Sequence, residues 1–300
     1  VTPATVPAQG AAGAAVQAPA PAVLPGLLLH CAGPLQSWGH HSHFNQRDTA
    51  AFPTRSGILG LLAAALGRSR DEPVDDLARL GLTVRVDRPG VLLRDLHTVG
   101  GGLPAAATVT TAQGKKRSGD TTTLLSHRYY LADAAFTIAV TSPGLSPSGL
   151  LTDCERALQA PRWPLFLGRR ACPPTGPLFL ALVDDALHHL VRLPLAAPTP
   201  QTGRITPTVD FLSDSPLDRL PLPDGVHASD PAEAAHPSTS LNDQPVTFHP
   251  TRRSYRARPL YRRTITPPAD QWGGLGTDYL QALSEYANRH FRTSEGAVHE

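Results

Sequence analysis

Apolar strands and amphipathic helices follow one another in the order strand, helix, strand, basic insertion, strand, helix, strand. That order predicts an α+β fold, with a ferredoxin-like (RNA-recognition-motif-type) antiparallel sheet and helices on one face. Two further observations support it. Short apolar runs are separated by helical patterns, and a long Gly/Ala/Thr/Ser-rich interruption over 100–128 falls between the two halves.

Leu27-Leu28-Leu29-His30-Cys31 is a short apolar run suited to a buried strand, ended by Gly33-Pro34. Phe52-Pro53-Thr54-Arg55-Ser56-Gly57 leads into Ile58–Leu66, a helix with Thr54 or Ser56 as N-cap and Gly67 as stop. A short helix is predicted over Val74–Leu80, and Leu82–Val86 alternates as a half-buried strand. Pro89-Gly90 before Val91-Leu92-Leu93 is a hairpin signal. Beyond the insertion, Phe136–Val140 reads as a strand. Ser148–Gln159 reads as a helix with Leu150, Leu151, Cys154 and Leu158 on one face, and Leu178–Val183 as a strand.

Four regions are expected. Residues 1–25, without a charged group and punctuated by Pro, read as a disordered or polyproline-like tail. The α+β domain spans 26–200. Residues 201–243 read as an acidic Pro-rich linker, and 244–300 as a basic Arg/Tyr segment with a C-terminal extension. The 31 Pro and 25 Gly, well above usual levels, concentrate largely in the tail, the insertion and the linker.

The formal charge of +2 hides this segregation, and all but two of the 27 Lys+Arg are Arg. GC-rich codon usage accounts for such a bias. So does recognition of phosphate and base edges, which suits a forked guanidinium. The three Cys form no framework, so a reducing cytoplasm is expected. The longest apolar run, Ile58–Leu66, is broken by Gly60 and falls far short of the ~20 residues that span a membrane.

Several enzyme signatures fail. Gly114–Asp120 begins as a phosphate loop but lacks Lys-Ser/Thr, and Gly144–Ser148 misses the last position of a nucleophile elbow. His40-His41-Ser42-His43 fits a solvated loop, RNA contact, acid–base work or a metal. No nearby Cys or obvious carboxylate completes a tetrahedral site, so no metal and no cofactor are predicted. Arg252–Arg263, with Tyr255, Arg258 and Tyr261, fits either a nucleic-acid surface or a protected edge strand. Lys115-Lys116-Arg117 fits a solvated tip or a polyanion contact. Gly168-Arg169-Arg170 fits solvated surface or phosphate binding.

Five ordered motifs carry a resemblance. They are Gly33–Gly39, Phe52–Leu62, Arg94–Val99, His127–Ala134, and Leu167–Arg170 with Cys172-Pro173 and Pro177–Leu180. Together they resemble the CasD subunit family of the type I-E CRISPR-Cas surveillance complex Cascade, in the RAMP superfamily. The similarity covers residues 26–185, and more weakly 244–266. It implies a ferredoxin-like core with a long inserted thumb at about 100–128. It also implies a non-catalytic, RNA-binding role in antiviral defence. The subunit would hold the 5′ handle of the CRISPR guide RNA, cap the CasC backbone and lie beside the large subunit CasA.

The RNA-binding candidates are then Trp38, Thr54, Arg55, Ser56, Lys115, Lys116, Arg117, Arg169, Arg170 and Arg258. Trp38 would stack on a base or serve the core or a partner contact. Thr54-Arg55-Ser56-Gly57 would bind phosphate at a helix N-terminus or simply cap the helix. Gly57 and Gly60 are expected to allow close helix packing. The acidic stretch, the N-terminal tail and the segment after Pro268 depart from the family pattern. Two alternatives stand beside this reading. One is a metal-independent endoribonuclease, as in type I-C relatives, drawing on His40, His41, His43, Tyr129 or Tyr130 with Lys115 or Lys116. The other is a purely protein-binding cap.

Overall fold

A computed structural model of the chain describes residues 23–39, 46–99, 104–108, 115–116, 123–142, 149–201 and 207–291. The His40–His43 cluster, Arg117 and most of the N-terminal tail lie outside the described residues.

Strand β1 (Gly26–Ala32) is buried along nearly its whole length. The short strands β2 (Leu35–Gln36) and β3 (Gln46–Arg47) follow. Helix α1 (Arg55–Leu66) begins where Thr54 Oγ1 accepts the Gly57 N–H at 3.3 Å and ends at Gly67, whose φ of 78° suits a residue without Cβ. Where the sequence predicts a helix over Val74–Leu80, the chain makes only a 3₁₀ turn at Leu77–Arg79.

Strand β4 (Gly81–Arg88) does not form a hairpin with β5 (Val91–Val99). Both edges of β4 are already taken, by β7 (Ala135–Thr141) and β9 (Val209–Ser213). The chain instead turns at Gly90, φ 72°, into a second sheet in which β5 pairs with β6 (Leu124–Ala132). The insertion therefore leaves the core at Val91 rather than near residue 100, and its two long strands form an arm. Strands β2 and β3 add to β6, the latter in parallel.

Helix α2 (Gly149–Gln159) buries Leu151, Cys154 and Leu158, and β8 (Phe179–Val183) completes the main sheet on one edge. The remaining elements are α3 (Ala186–Arg192), α4 (Pro231–Ala234), β10 (Thr239–Thr247), β11 (Ser254–Ile265) and α5 (Thr277–His290). The main sheet is antiparallel and runs β10-β11-β9-β4-β7-β1-β8.

Two expectations need correction. Helices do not lie on one face only. Alpha-helices α1 and α2 cover the side holding Leu27, Leu29 and Ile138, while α3 and α5 cover Leu28, Ala135 and Ala139 on the other. A strand apolar at consecutive positions presents oil to both sides, so both must be covered. Nor is 201–243 a linker. It supplies β9 to the middle of the sheet, and its carboxylates Asp210, Asp214 and Asp243 pair with Arg262, Arg55 and Arg258. Its acidity is the counter-charge of the arginines around it.

The half-buried strand predicted over Leu82–Val86 is likewise buried on both faces. Arg85 lies wholly inside. Its guanidinium pairs with Asp87 (Nε–Oδ1 2.6 Å) and donates to the Leu190, Leu193 and Pro194 carbonyls. Among the described residues no helix is long and apolar enough to cross a membrane.

Candidate nucleic-acid interface

The helix N-terminus offered by Thr54-Arg55-Ser56 is occupied from within. The Arg55 backbone N–H donates to Asp243 Oδ2 at 2.8 Å, and Thr54 is buried as the cap. Ser56 Oγ lies 3.4 Å from Thr54 Oγ1. The Arg55 side chain is buried, pairs with Asp214 and donates to the carbonyls of Ala78 (3.0 Å) and Leu80 (2.5 Å). Burial pulls its guanidinium below the ordinary arginine value and pushes the Asp214 carboxyl up, mutual attraction opposing both shifts. Thr54 and Arg55 are turned inward and hold β9 and β10 to α1, while Ser56 is half-buried.

Trp38 is 1% exposed, so it does not stack on a base. Its indole N–H donates to Gln36 Oε1 at 3.0 Å, and its ring lies against α1, where a Cβ on Gly57 would come within 2.7 Å of it. Close packing accounts for Gly57. At Gly60 the nearest atom, on Phe248, is an ordinary 3.8 Å away. Arg258 is also buried, its guanidinium forked onto Asp243 (2.6 and 3.0 Å).

Arg169 lies over the Tyr130 ring, 4.8 Å from its centroid. It donates to the carbonyls of Arg47 (2.7 Å), Asp48 (3.1 Å) and Tyr129 (3.1 Å), so it ties β3 to β6. Arg170, its neighbour, is exposed. Lys115 and Lys116 are exposed too, with Lys116 Nζ donating to the Thr108 carbonyl at 2.9 Å. Of the candidates among the described residues, Arg170, Lys115 and Lys116 are exposed, Ser56 and Arg169 half-buried, and Trp38, Thr54, Arg55 and Arg258 buried.

Exposed cations lie in two places: Arg252, Arg253 and Arg256 around the start of β11 on the main sheet, and a second set on the smaller sheet. Arg47 of β3 sits beside Arg128 of β6 in the parallel register, and Arg94 of β5 opposite Tyr129. On one face of the arm Leu92, Leu96 and Leu125 are 61, 55 and 53% exposed; Val91 and Leu93 are open on the other. Contiguous exposed aliphatics of this kind mark a contact surface. Sequence reasoning passed over Arg47 and Arg128. Arg128 stands inside the His127–Ala134 motif, which was the available signal; nothing in the residues around Arg47 marks it.

Burial pushes the thiols of Cys31 and Cys154 up, to about 12 and about 11, which favours the neutral thiol at both. Among the described residues no three His, Cys, Asp or Glu side chains gather as a metal site.

A family model described as CRISPR-associated protein (Cas_Cas5) matches residues 26–261. The CRISPR system Cascade subunit CasD of Escherichia coli K12 is 40% identical over 173 residues, 51% of this chain and 69% of that protein. A chain of a solved CRISPR RNA-guided surveillance complex superposes with a TM-score of 0.72 at 40% identity, covering 88% of this chain and 99% of its own. A second solved structure, titled a Cas protein, gives a TM-score of 0.55 at 31% identity, covering 84% and 99%.

Proposed function

Since this chain belongs to the CRISPR-associated Cas5 family, we propose that it is the Cascade subunit that holds the 5′ handle of the CRISPR guide RNA without cutting it. On this reading it also caps the CasC backbone and lies beside CasA, in the cytoplasm. Its core is ferredoxin-like: β1, α1, β4, β7, α2 and β8 follow the split pattern, and their strands lie in the order β8-β1-β7-β4.

The observation that carries the reading is the β5–β6 arm. It brings exposed Leu92, Leu96 and Leu125 together with Arg94, while the neighbouring β3 carries exposed Arg47. Aliphatic surface suits an adjoining protein subunit, and guanidinium groups suit the phosphates of a single strand. Arg170, Lys115 and Lys116 are further exposed cations.

Ultraviolet crosslinking of guide RNA in the reconstituted complex tests this directly. The 5′ handle is expected to crosslink to this subunit, and its absence from the crosslinked peptides would overturn the assignment. Labelled precursor RNA incubated with the protein in EDTA should remain intact; site-specific cleavage would establish the endoribonuclease instead.

A further inference from the structure

We infer that Arg47 and Arg128 form a two-armed cradle for one RNA phosphodiester, with Arg169 as the positioning residue that aligns them. The inference deepens the guide-RNA reading and rests on it.

Register alone brings the two arginines together. Arg47 and Arg128 are direct partners in the parallel β3–β6 pair, so both side chains leave the same side of the sheet. Arg47 is exposed and Arg128 half-buried, and among the described residues neither is in an ion pair. The carboxylate nearest by register, Asp95 opposite Arg128 on β5, is engaged by His97 Nε2 at 2.5 Å. Arg128 Nε is shielded from solvent without a hydrogen-bond acceptor. Two adjacent guanidiniums repel unless an anion lies between them, and the non-bridging oxygens of a phosphodiester accept from both.

Arg169 belongs to the same face as a tie rather than a third arm. Its Nη1 and Nη2 donate to the Tyr129, Arg47 and Asp48 carbonyls, and its plane covers Tyr130, two residues along from Arg128. Covering Tyr130 also removes the ring from base stacking. The face therefore reads backbone rather than base. Strand β3 is two residues long, too short to hold its own register, and Arg169 pins its backbone to β6. Arg169 is fixed in turn by its loop, where Ser37 N–H donates to the Leu167 carbonyl at 3.1 Å and Leu167 N–H to the Cys172 carbonyl at 2.7 Å.

The test uses the full chain and labelled guide RNA over a salt series. Arg47→Ala and Arg128→Ala should each weaken binding several-fold, and the double variant should make the log K against log salt slope shallower by about 0.7 in all, the value for the one single-strand phosphate they share. Arg169→Ala should weaken binding with the slope kept, and should raise amide exchange at 46–48 and 127–130. Arg169→Lys should not rescue it, because one ammonium cannot reach three carbonyls. Arg47 is exposed, so its variant does not endanger the fold. If wild type binds guide RNA and the double variant keeps its slope, or loses the slope of two phosphates, the cradle is wrong while the guide-RNA reading stands. If wild type does not bind guide RNA at all, both fall.

Discussion

Asp243 closes the first turn of α1, its Oδ2 accepting the Arg55 backbone N–H at 2.8 Å across 188 residues of sequence. The same carboxylate takes Arg258 Nε at 2.6 Å. A helix N-terminus attracts an anion through its free N–H groups and its dipole, and here the anion is supplied by β10 of the chain itself. The motif Thr54-Arg55-Ser56-Gly57 is thus an internal joint between α1 and the strands added to the sheet edge.

Asp243→Ala should cost about 3–5 kcal/mol, because it leaves the Arg258 guanidinium buried without its counter-charge and uncaps α1 as well. Urea unfolding measures the loss. Arg55→Ala should also lower the midpoint, yet leave the salt slope of guide-RNA binding unchanged in the folded protein. A shallower slope for Arg55→Ala would show that the residue reaches phosphate after all.

Arg85 and Asp87 should behave as a unit. Both side chains are fully buried, and Asp87 Oδ2 also accepts from Thr137 Oγ1 at 2.7 Å. Removing either partner leaves a buried unpaired charge, so Arg85→Met and Asp87→Asn should each destabilise by about 3–5 kcal/mol. The double variant should lose much less than the sum of the two. Additive losses in a double-mutant cycle would show that the pair is not coupled.

These networks mark what the sequence conveys and what it hides. Strands β1, β4, β7 and β8, together with α1 and α2, are legible because apolar periodicity and capping are local signals: Thr54 and Gly67 bound α1 where the pattern says they should. Partnership across the chain is not local. An arginine at position 85 in an apolar strand reads as the solvent face, since the carbonyls of Leu190, Leu193 and Pro194 that receive it lie more than a hundred residues away. The acidic 201–243 stretch reads as a linker for the same reason: Asp214 and Asp243 look solvated until Arg55 and Arg258 are placed beside them. At the candidate interface the Gly168-Arg169-Arg170 motif is visible, but only the fold separates Arg169, tied to β3 and β6, from Arg170, which is exposed.

Acid should loosen α5. His30 of β1 stacks on Tyr279 with ring centroids 4.8 Å apart, and His189 of α3 lies 3.0 Å from Tyr286 Oη, so both histidines face this helix. Burial lowers each to about 4 from an ordinary 6.5. Asp87, Arg85 and Arg88 act on His30, and His188, Asp185, His290 and Arg192 on His189. Between pH 6.5 and 4 the unfolded chain binds these protons and the folded chain does not, so stability is full above about 6.5 and falls as pH drops. The His30 contribution alone reaches the order of 3 kcal/mol at pH 4. Amide exchange of 277–290 measured from pH 7 to pH 4 should rise before that of β1 and β7. Flat protection across this range would mean that neither histidine stays neutral in the fold.

Gly168 and Gly176 offer a paired test of the loop that carries Arg169. Both adopt positive φ, 89° and 79°, so alanine at either position costs about 1 kcal/mol in backbone conformation. Their surroundings differ. A Cβ at Gly168 would stand 1.8 Å from the Ser37 carbonyl oxygen, whereas nothing lies within 4 Å of one at Gly176. Gly168→Ala must therefore push the loop from β2's flank, weakening the Ser37–Leu167 hydrogen bond and withdrawing Arg169 from the Arg47 and Tyr129 carbonyls. The expected loss is about 2 kcal/mol or more beyond that of Gly176→Ala, read as the difference in urea midpoints. Amide exchange at 46–48 should rise in the first variant alone. Equal losses in the two would mean that Ser37 yields freely and that the loop does not pin β3 to β6.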